Sequence, residues 1–266
     1  MKKFAFVLGL VAVACLLAPV LAPYPPGTLD AAAINQAPSA QHLLGTDKLG
    51  RDLLSMLLYG GRSSLAIGGL AAAVSGFVAM VYGGLSAMGG KWMDEAMMRG
   101  CDLLLSIPSI LLILFLQAMW GEASVLSLGL LIGCTGWMQM AKLVRTEVLQ
   151  MRSSDYLKAV RTFGGGFWYI LLHHLVRNLF PTLLYLCVSA MGQAMMTEST
   201  LSFLGLGLPL TEVSWGSLMS LSQGVLLTGN WWILLIPGLV LVTTLTCVTE
   251  LGEGIRGRNT RLHSHL

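Results

Sequence analysis

Six windows of this sequence carry no charged side chain: residues 4–29, 63–90, 103–121, 123–141, 178–197 and 213–249. Their length constrains the fold more than any other feature. A helix crossing ~30 Å of hydrocarbon at about 1.5 Å per residue needs roughly 20 apolar residues. Only 11% of the chain is charged and 55% is hydrophobic, whereas soluble domains carry about 25% charged residues. A soluble enzyme, a disordered chain and a disulfide scaffold are excluded. The sequence predicts an all-α, polytopic membrane protein with six transmembrane helices in one domain, residues 1–266, with spans at about 4–22, 65–87, 103–121, 123–141, 179–198 and 231–249.

The stretch 199–211 is too short for a seventh span and is broken by Gly205, Gly207 and Pro209. Residues 199–230 read as an extracytoplasmic loop with short or re-entrant helices. Lys2 and Lys3 before an apolar run also fit a signal peptide, but cleavage after Ala22 would put Pro23 at the cut, and the run is long enough to span. Orientation follows from the basic residues. With the N-terminus in the cytoplasm, thirteen of the sixteen lysines and arginines fall inside, leaving Lys48, Arg51 and Arg62 outside. That bias puts both termini in the cytoplasm. The net charge of +3 gives no footprint for a nucleic-acid partner, and the five cysteines form no C-x-x-C pair.

Two loops are long enough to carry function. The outer one runs from Pro23 to about Arg62, the inner one from about Lys142 to Asn178. Within the inner loop Asp155 is an N-cap candidate, and Tyr156, Leu157, Val160 and Phe163 fall on one helical face. Gly164, Gly165 and Gly166 then break the helix before a second amphipathic stretch, Phe167 to Val176. This helix–glycine–helix bracket fits either a partner-docking element or a lipid-anchored one with Trp168 and Tyr169 at the interface.

The bracket resembles the cytoplasmic coupling loop of permease subunits of binding-protein-dependent ABC importers. That family's Glu-Ala-Ala, three residues, Gly pattern stands here as Lys158-Ala159-Val160, three residues, Gly164, with Leu175 and Pro181 further on. It departs in its lysine, its valine and the displaced proline. His42-Leu43-Leu44-Gly45-Thr46-Asp47-Lys48-Leu49-Gly50-Arg51-Asp52 resembles the entry motif of the dipeptide, oligopeptide and nickel group. Ser202-Phe203-Leu204-Gly205-Leu206-Gly207 with Ser214-Trp215-Gly216, and Trp231-Trp232 through Leu251-Gly252-Glu253-Gly254-Ile255-Arg256, resemble its later loop and last helix.

The resemblance implies a bacterial inner-membrane subunit that forms half of a translocation path. It implies a second homologous permease subunit, two ATPase subunits and an extracytoplasmic solute-binding protein as partners. The chain lacks Gly-x-x-x-x-Gly-Lys-Ser/Thr, so it is not expected to be an enzyme or to bind a cofactor, and ATP is expected to be used by the partners. Asp155, Tyr156, Lys158, Ala159, Val160, Arg161, Gly164 and Gly165 are the candidate ATPase-coupling residues. Gly45, Thr46, Asp47, Gly50, Arg51 and Asp52 form the outer-loop motif, in which the charged residues either pin the loop or reach a binding protein.

Glu198 is the one ionisable residue within a span, and with Thr197 and Ser199 it is a candidate for the path or for the membrane interface. Asp102 reads as a helix-start residue, and Pro108 and Pro237 as kinks. No metal site is assigned, since His263 and His265 lie in the tail and the fifteen methionines read as packing. The three residues before the first span resemble nickel-type members, so nickel or a metal chelate is the expected cargo. Dipeptides or oligopeptides are the alternative, and an ion-coupled carrier a more distant one.

Overall fold

The computed structural model describes residues 2–152, 176–209, 211–222 and 229–263, nearly all of them helical. Helix α1 covers Lys2–Leu16, and a single turn, α2, covers Ala18–Leu21 with Pro19 in its first turn. An irregular segment, 23–52, contains one 3₁₀ turn at Ala31–Ala33. Then come α3 (Leu53–Met88), α4 (Lys91–Leu105), α5 (Ser109–Trp120), α6 (Val125–Arg152), α7 (Val176–Phe203), α8 (Trp215–Leu221) and α9 (Trp232–His263).

Among the described residues three helical stretches are long and apolar enough to cross a membrane: Leu53–Met88, Leu179–Phe203 and Trp232–Gly257. The α4–α5 pair makes a fourth if it is counted as one span, bent by 85°. At Pro108, read from sequence as a kink, the expected span over 103–121 is broken into two helices. Pro108 has no amide hydrogen and disfavours helical geometry at Ile107, so α4 stops at Leu105 and α5 restarts at Ser109. Asp102 is likewise not a helix-start residue. It sits in the last turn of α4, where the helix dipole disfavours an anion, and pairs with Lys142 of α6.

The other boundaries shift because helices run past the last apolar residue. Helix α6 continues to Arg152, taking in Lys142 and Arg145, so the expected inner loop loses its first eleven residues to helix. Arg145 forks onto Asp94 of α4, which also accepts from Ser86 of α3. Ion pairing to a neighbouring helix lets a charged turn stay helical. Helix α7 likewise extends through Ser199 and Ser202, which the sequence alone places in a loop.

The centre of the bundle is α3, which packs along α6 and α7 and meets α9 at its first turn through Leu53, Trp232 and Ile233. In lipid, helices gain little from hydrophobic transfer and associate through close backbone approach at small residues. The α3–α6 seam is built that way. Ser75 donates to the Gly133 carbonyl at 2.9 Å. A Cβ added at Gly133 would stand 2.8 Å from Val74 Cβ and 3.0 Å from the Ala71 carbonyl oxygen, and one at Gly129 2.8 Å from Leu70 Cδ2. At the far end Gly83 faces the Ala141 carbonyl, and Ala79, Ala87, Val144 and Val148 close a core with Leu179 and Leu186 of α7.

Gly69, by contrast, faces open space. Gly133→Ala is therefore expected to destabilise the protein by about 1–3 kcal/mol. Gly69→Ala should be neutral or stabilising by up to about 1 kcal/mol through helix propensity. Thermal aggregation midpoints in detergent check both; equal effects would contradict the seam.

Candidate functional site

A groove of about 490 Å³ opens between α3, α5, α6 and α7. Its polar lining comes from Ser75, Ser109, Thr135, Gln139, Ser189, Gln193 and Thr197, with Ile113, Ile132 and Leu186 as apolar wall and no charged residue. The arrangement follows from helix periodicity. Thr135 and Gln139 are four residues apart on α6; Ser189, Gln193 and Thr197 make a stripe at steps of four on α7. Leu143, Tyr185 and Leu186 also line a second cavity of about 310 Å³, so the groove continues towards Glu147, Thr182 and Arg256. The Arg256 guanidinium lies 5.7 Å from the Tyr185 ring centre.

The structure separates the three path candidates. Thr197 lines the groove, with its hydroxyl donating to the Gln193 carbonyl at 2.9 Å. Glu198, about 100° further round the helix, is 0% exposed and faces away, and Ser199 is buried beside it. The Glu198 carboxylate accepts from Ser202 at 2.8 Å and Ser214 at 2.6 Å on Oε1, and from Ser199 at 3.4 Å and Ser64 at 3.5 Å on Oε2. Among the described residues no cation pairs with it. A buried carboxylate without a counter-ion is costly, and hydroxyl donors replace the lost water. The serines come from three helices or their caps: Ser64 from α3, Ser199 and Ser202 from α7, and Ser214 from the N-cap of α8.

The outer-loop motif folds onto the start of α3. Asp47 accepts from the Leu49 and Arg51 amides at 2.8 and 2.9 Å, and from Arg51 Nε at 2.8 Å. Asp52 caps α3, accepting from the Ser55 amide at 2.9 Å and its hydroxyl at 2.8 Å, while His42 Nδ1 lies 3.0 Å from its other oxygen. The buried Thr46 hydroxyl donates to the Ala33 carbonyl, and the Thr46 carbonyl accepts from Trp232 Nε1 at 3.3 Å. Gly45 and Gly50 have φ of +80° and +75°, a region that favours glycine. A Cβ on Gly50 would strike the Asp30 carbonyl. Asp47, Arg51 and Asp52 are thus all engaged within the chain. His42, Ser55 and Trp232 complete the cluster.

The candidate coupling residues Asp155, Tyr156, Lys158, Ala159, Val160, Arg161, Gly164 and Gly165 lie outside the described residues. Of the polar groove residues only Thr197 is read from sequence as a path candidate; the signal for the others is Gln, Thr and Ser repeating every four positions inside charge-free windows.

A helical, multi-pass chain with a polar groove open along its flank has the form of a membrane permease subunit. The family described as binding-protein-dependent transport system inner membrane component matches residues 79–253, and the chain belongs to that family. It is a permease subunit of an ABC importer and a multi-pass protein of the inner membrane. The family's dependence on a binding protein implies a solute-binding partner and an ATPase.

The chain is 33% identical over 254 residues to the dipeptide transport system permease protein of Bacillus subtilis, covering 94% of this chain and 78% of the relative. It is 32% identical over 251 residues to the oligopeptide transport system permease protein of the same organism, covering 94% and 81%. With the oligopeptide transport system permease protein of Mycobacterium bovis the identity is 34% over 239 residues, covering 90% and 82%. The expected preference for nickel gains no support from these relatives.

The outer cluster yields a stability prediction. Asp52→Ala removes the α3 cap and is expected to cost about 1–2 kcal/mol, whereas Lys48→Ala, on an exposed side chain, should change stability by less than about 0.5 kcal/mol. Thermal denaturation of the purified variants compares the two.

Proposed function

We propose that this chain is one half of the translocation path of an importer for dipeptides or oligopeptides. The observation that carries the reading is the uncharged polar stripe along α6 and α7. A peptide passing a membrane presents amide donors and acceptors together, and a glutamine side chain offers both. Gln139 and Gln193 with Thr135, Ser189 and Thr197 supply such partners without a fixed charge that would hold the cargo. A nickel ion favours imidazole, thiolate and similar ligands, and among the described residues no group of three His, Cys, Asp or Glu could hold a metal. The relatives named for dipeptide and oligopeptide transport support the same cargo.

The positive-inside bias supports six crossings with both termini in the cytoplasm, the α4–α5 pair and α6 counting as the third and fourth. In this reading a second homologous permease closes the groove, two ATPases dock below, and a solute-binding protein docks above. Residues 155–165, including Asp155, Tyr156, Lys158, Ala159, Val160, Arg161, Gly164 and Gly165, receive the ATPase. The chain itself hydrolyses nothing; ATP is consumed by the partners. Alternating access then proceeds by rocking of packed helices.

Deleting the gene and restoring it from a plasmid, with labelled dialanine and radiolabelled nickel followed side by side, tests the cargo. Dipeptide uptake should fall and return while nickel uptake stays constant; the reverse would overturn the peptide reading. Gln193→Leu should lower dipeptide uptake about tenfold, the equivalent of one hydrogen bond of about 1.4 kcal/mol.

A further inference from the structure

The Glu198 cluster does not border the groove, and the transport path needs no carboxylate there. Its geometry is that of a fastening. Ser214 is the pivotal contact: its hydroxyl donates to Glu198 and accepts from the Ser217 amide at 3.0 Å, while the Ser217 hydroxyl accepts from the Ser214 amide at 2.8 Å. The first turn of α8 is therefore closed on itself and tied to α7 through one oxygen of Glu198. The next residue ties it to α3. The Trp215 amide donates to Ser64 Oγ at 3.1 Å, and its indole Nε1 to the Leu57 carbonyl at 2.9 Å.

Packing leaves no slack around these bonds. Trp215 is fully buried. A Cβ on Gly216 would stand 2.5 Å from Ser199 Cα, and one on Gly60 3.1 Å from the Ser214 carbonyl carbon. Leu218 and Leu221 of α8 share a core with Met56 and Leu57 of α3, Met195 of α7 and Leu241 of α9. A seven-residue helix thus joins three long helices at the end of the bundle that carries the 23–52 segment.

We propose that Glu198 is a positioning residue for transport: it locks α8 as a wedge, so that α3, α7 and α9 move as one body at that end when the opposite end is driven. Resting on the importer reading, the inference gives the buried carboxylate a role distinct from touching cargo. Ser214 is the hydroxyl that joins α8 to this side chain and Ser64 the one that joins α3, so a single change at Glu198 releases both while the Trp215 bonds to α3 remain.

The test uses the complete importer, permease pair with ATPases, in lipid nanodiscs and in proteoliposomes with its binding protein. In Glu198→Leu, hydrogen exchange of amides 213–222 should accelerate at least tenfold while amides of α6 keep their wild-type rates. ATP hydrolysis per assembled complex should stay within about twofold, and labelled dialanine uptake per ATP should fall at least tenfold. Glu198→Gln, which retains an acceptor, should recover most of both. Ser202→Ala, which removes one donor to Glu198 from within α7 and leaves the carboxylate and its Ser214 contact, should give a smaller acceleration at 213–222 and serves if the leucine variant fails to assemble.

Unchanged exchange at 213–222 in every variant would overturn the proposal. So would uptake and hydrolysis that decline together in proportion to assembled complex, the signature of a fold defect. A wild-type complex without ATP-dependent dialanine uptake would count against the peptide reading instead, and the exchange measurement would still decide the role of Glu198.

Discussion

The close approach of α3 to α6 is the constraint on which the rest of the structure depends. Between these helices the glycines of α6 let Leu70, Ala71 and Val74 of α3 come close, and Ser75 reaches across to the Gly133 carbonyl. Inside a membrane the lipid chains are as apolar as leucine, so contact density and buried hydrogen bonds decide which helices stay together. With α6 held this tightly, its next face, Thr135 and Gln139, is turned towards α7 and the groove opens there. Had the seam been built from leucines, the groove residues would stand further apart.

Helix α7 then serves two purposes on two faces. One presents Ser189, Gln193 and Thr197 at steps of four along the groove. The other, beginning at Glu198, turns into the protein and meets the caps and side chains of α3 and α8. Adjacent residues thus belong to different functions because a helix rotates about 100° per residue. The uncharged face suits a cargo that must bind weakly and leave. The other suits a permanent contact, since one buried side chain there gathers four hydroxyl partners.

Much of this was legible in the sequence. The absence of charge located α3, α7 and α9, because the cost of a buried charge dominates every other preference in a membrane. Pro108 announced a kink, though not that it would turn the chain by 85°. The ends of α4, α6 and α7 were not legible. Asp102 and Lys142, or Asp94 and Arg145, look like loop residues until the partner helix is in place. Glu198 was singled out for the right physical reason, its charge, but its surroundings depend on Ser64, 134 residues away in the chain, and on a cap in a loop. Long-range convergence of that kind leaves no periodic trace.

If cargo passes along the α6–α7 groove, thiols placed in it meet water and cargo, and their accessibility can be measured. Single cysteines at Gln139, Ser189, Gln193 and Thr197 are compared with single cysteines at the exposed apolar positions Leu126 and Phe180. The wild-type chain, with its five native cysteines, sets the background. In proteoliposomes holding the full importer, a water-soluble maleimide should react at the four groove positions and not at the two others. ATP with the dipeptide-loaded binding protein should change those rates. Equal reactivity at all six positions, or groove rates indifferent to ATP and cargo, would contradict the account.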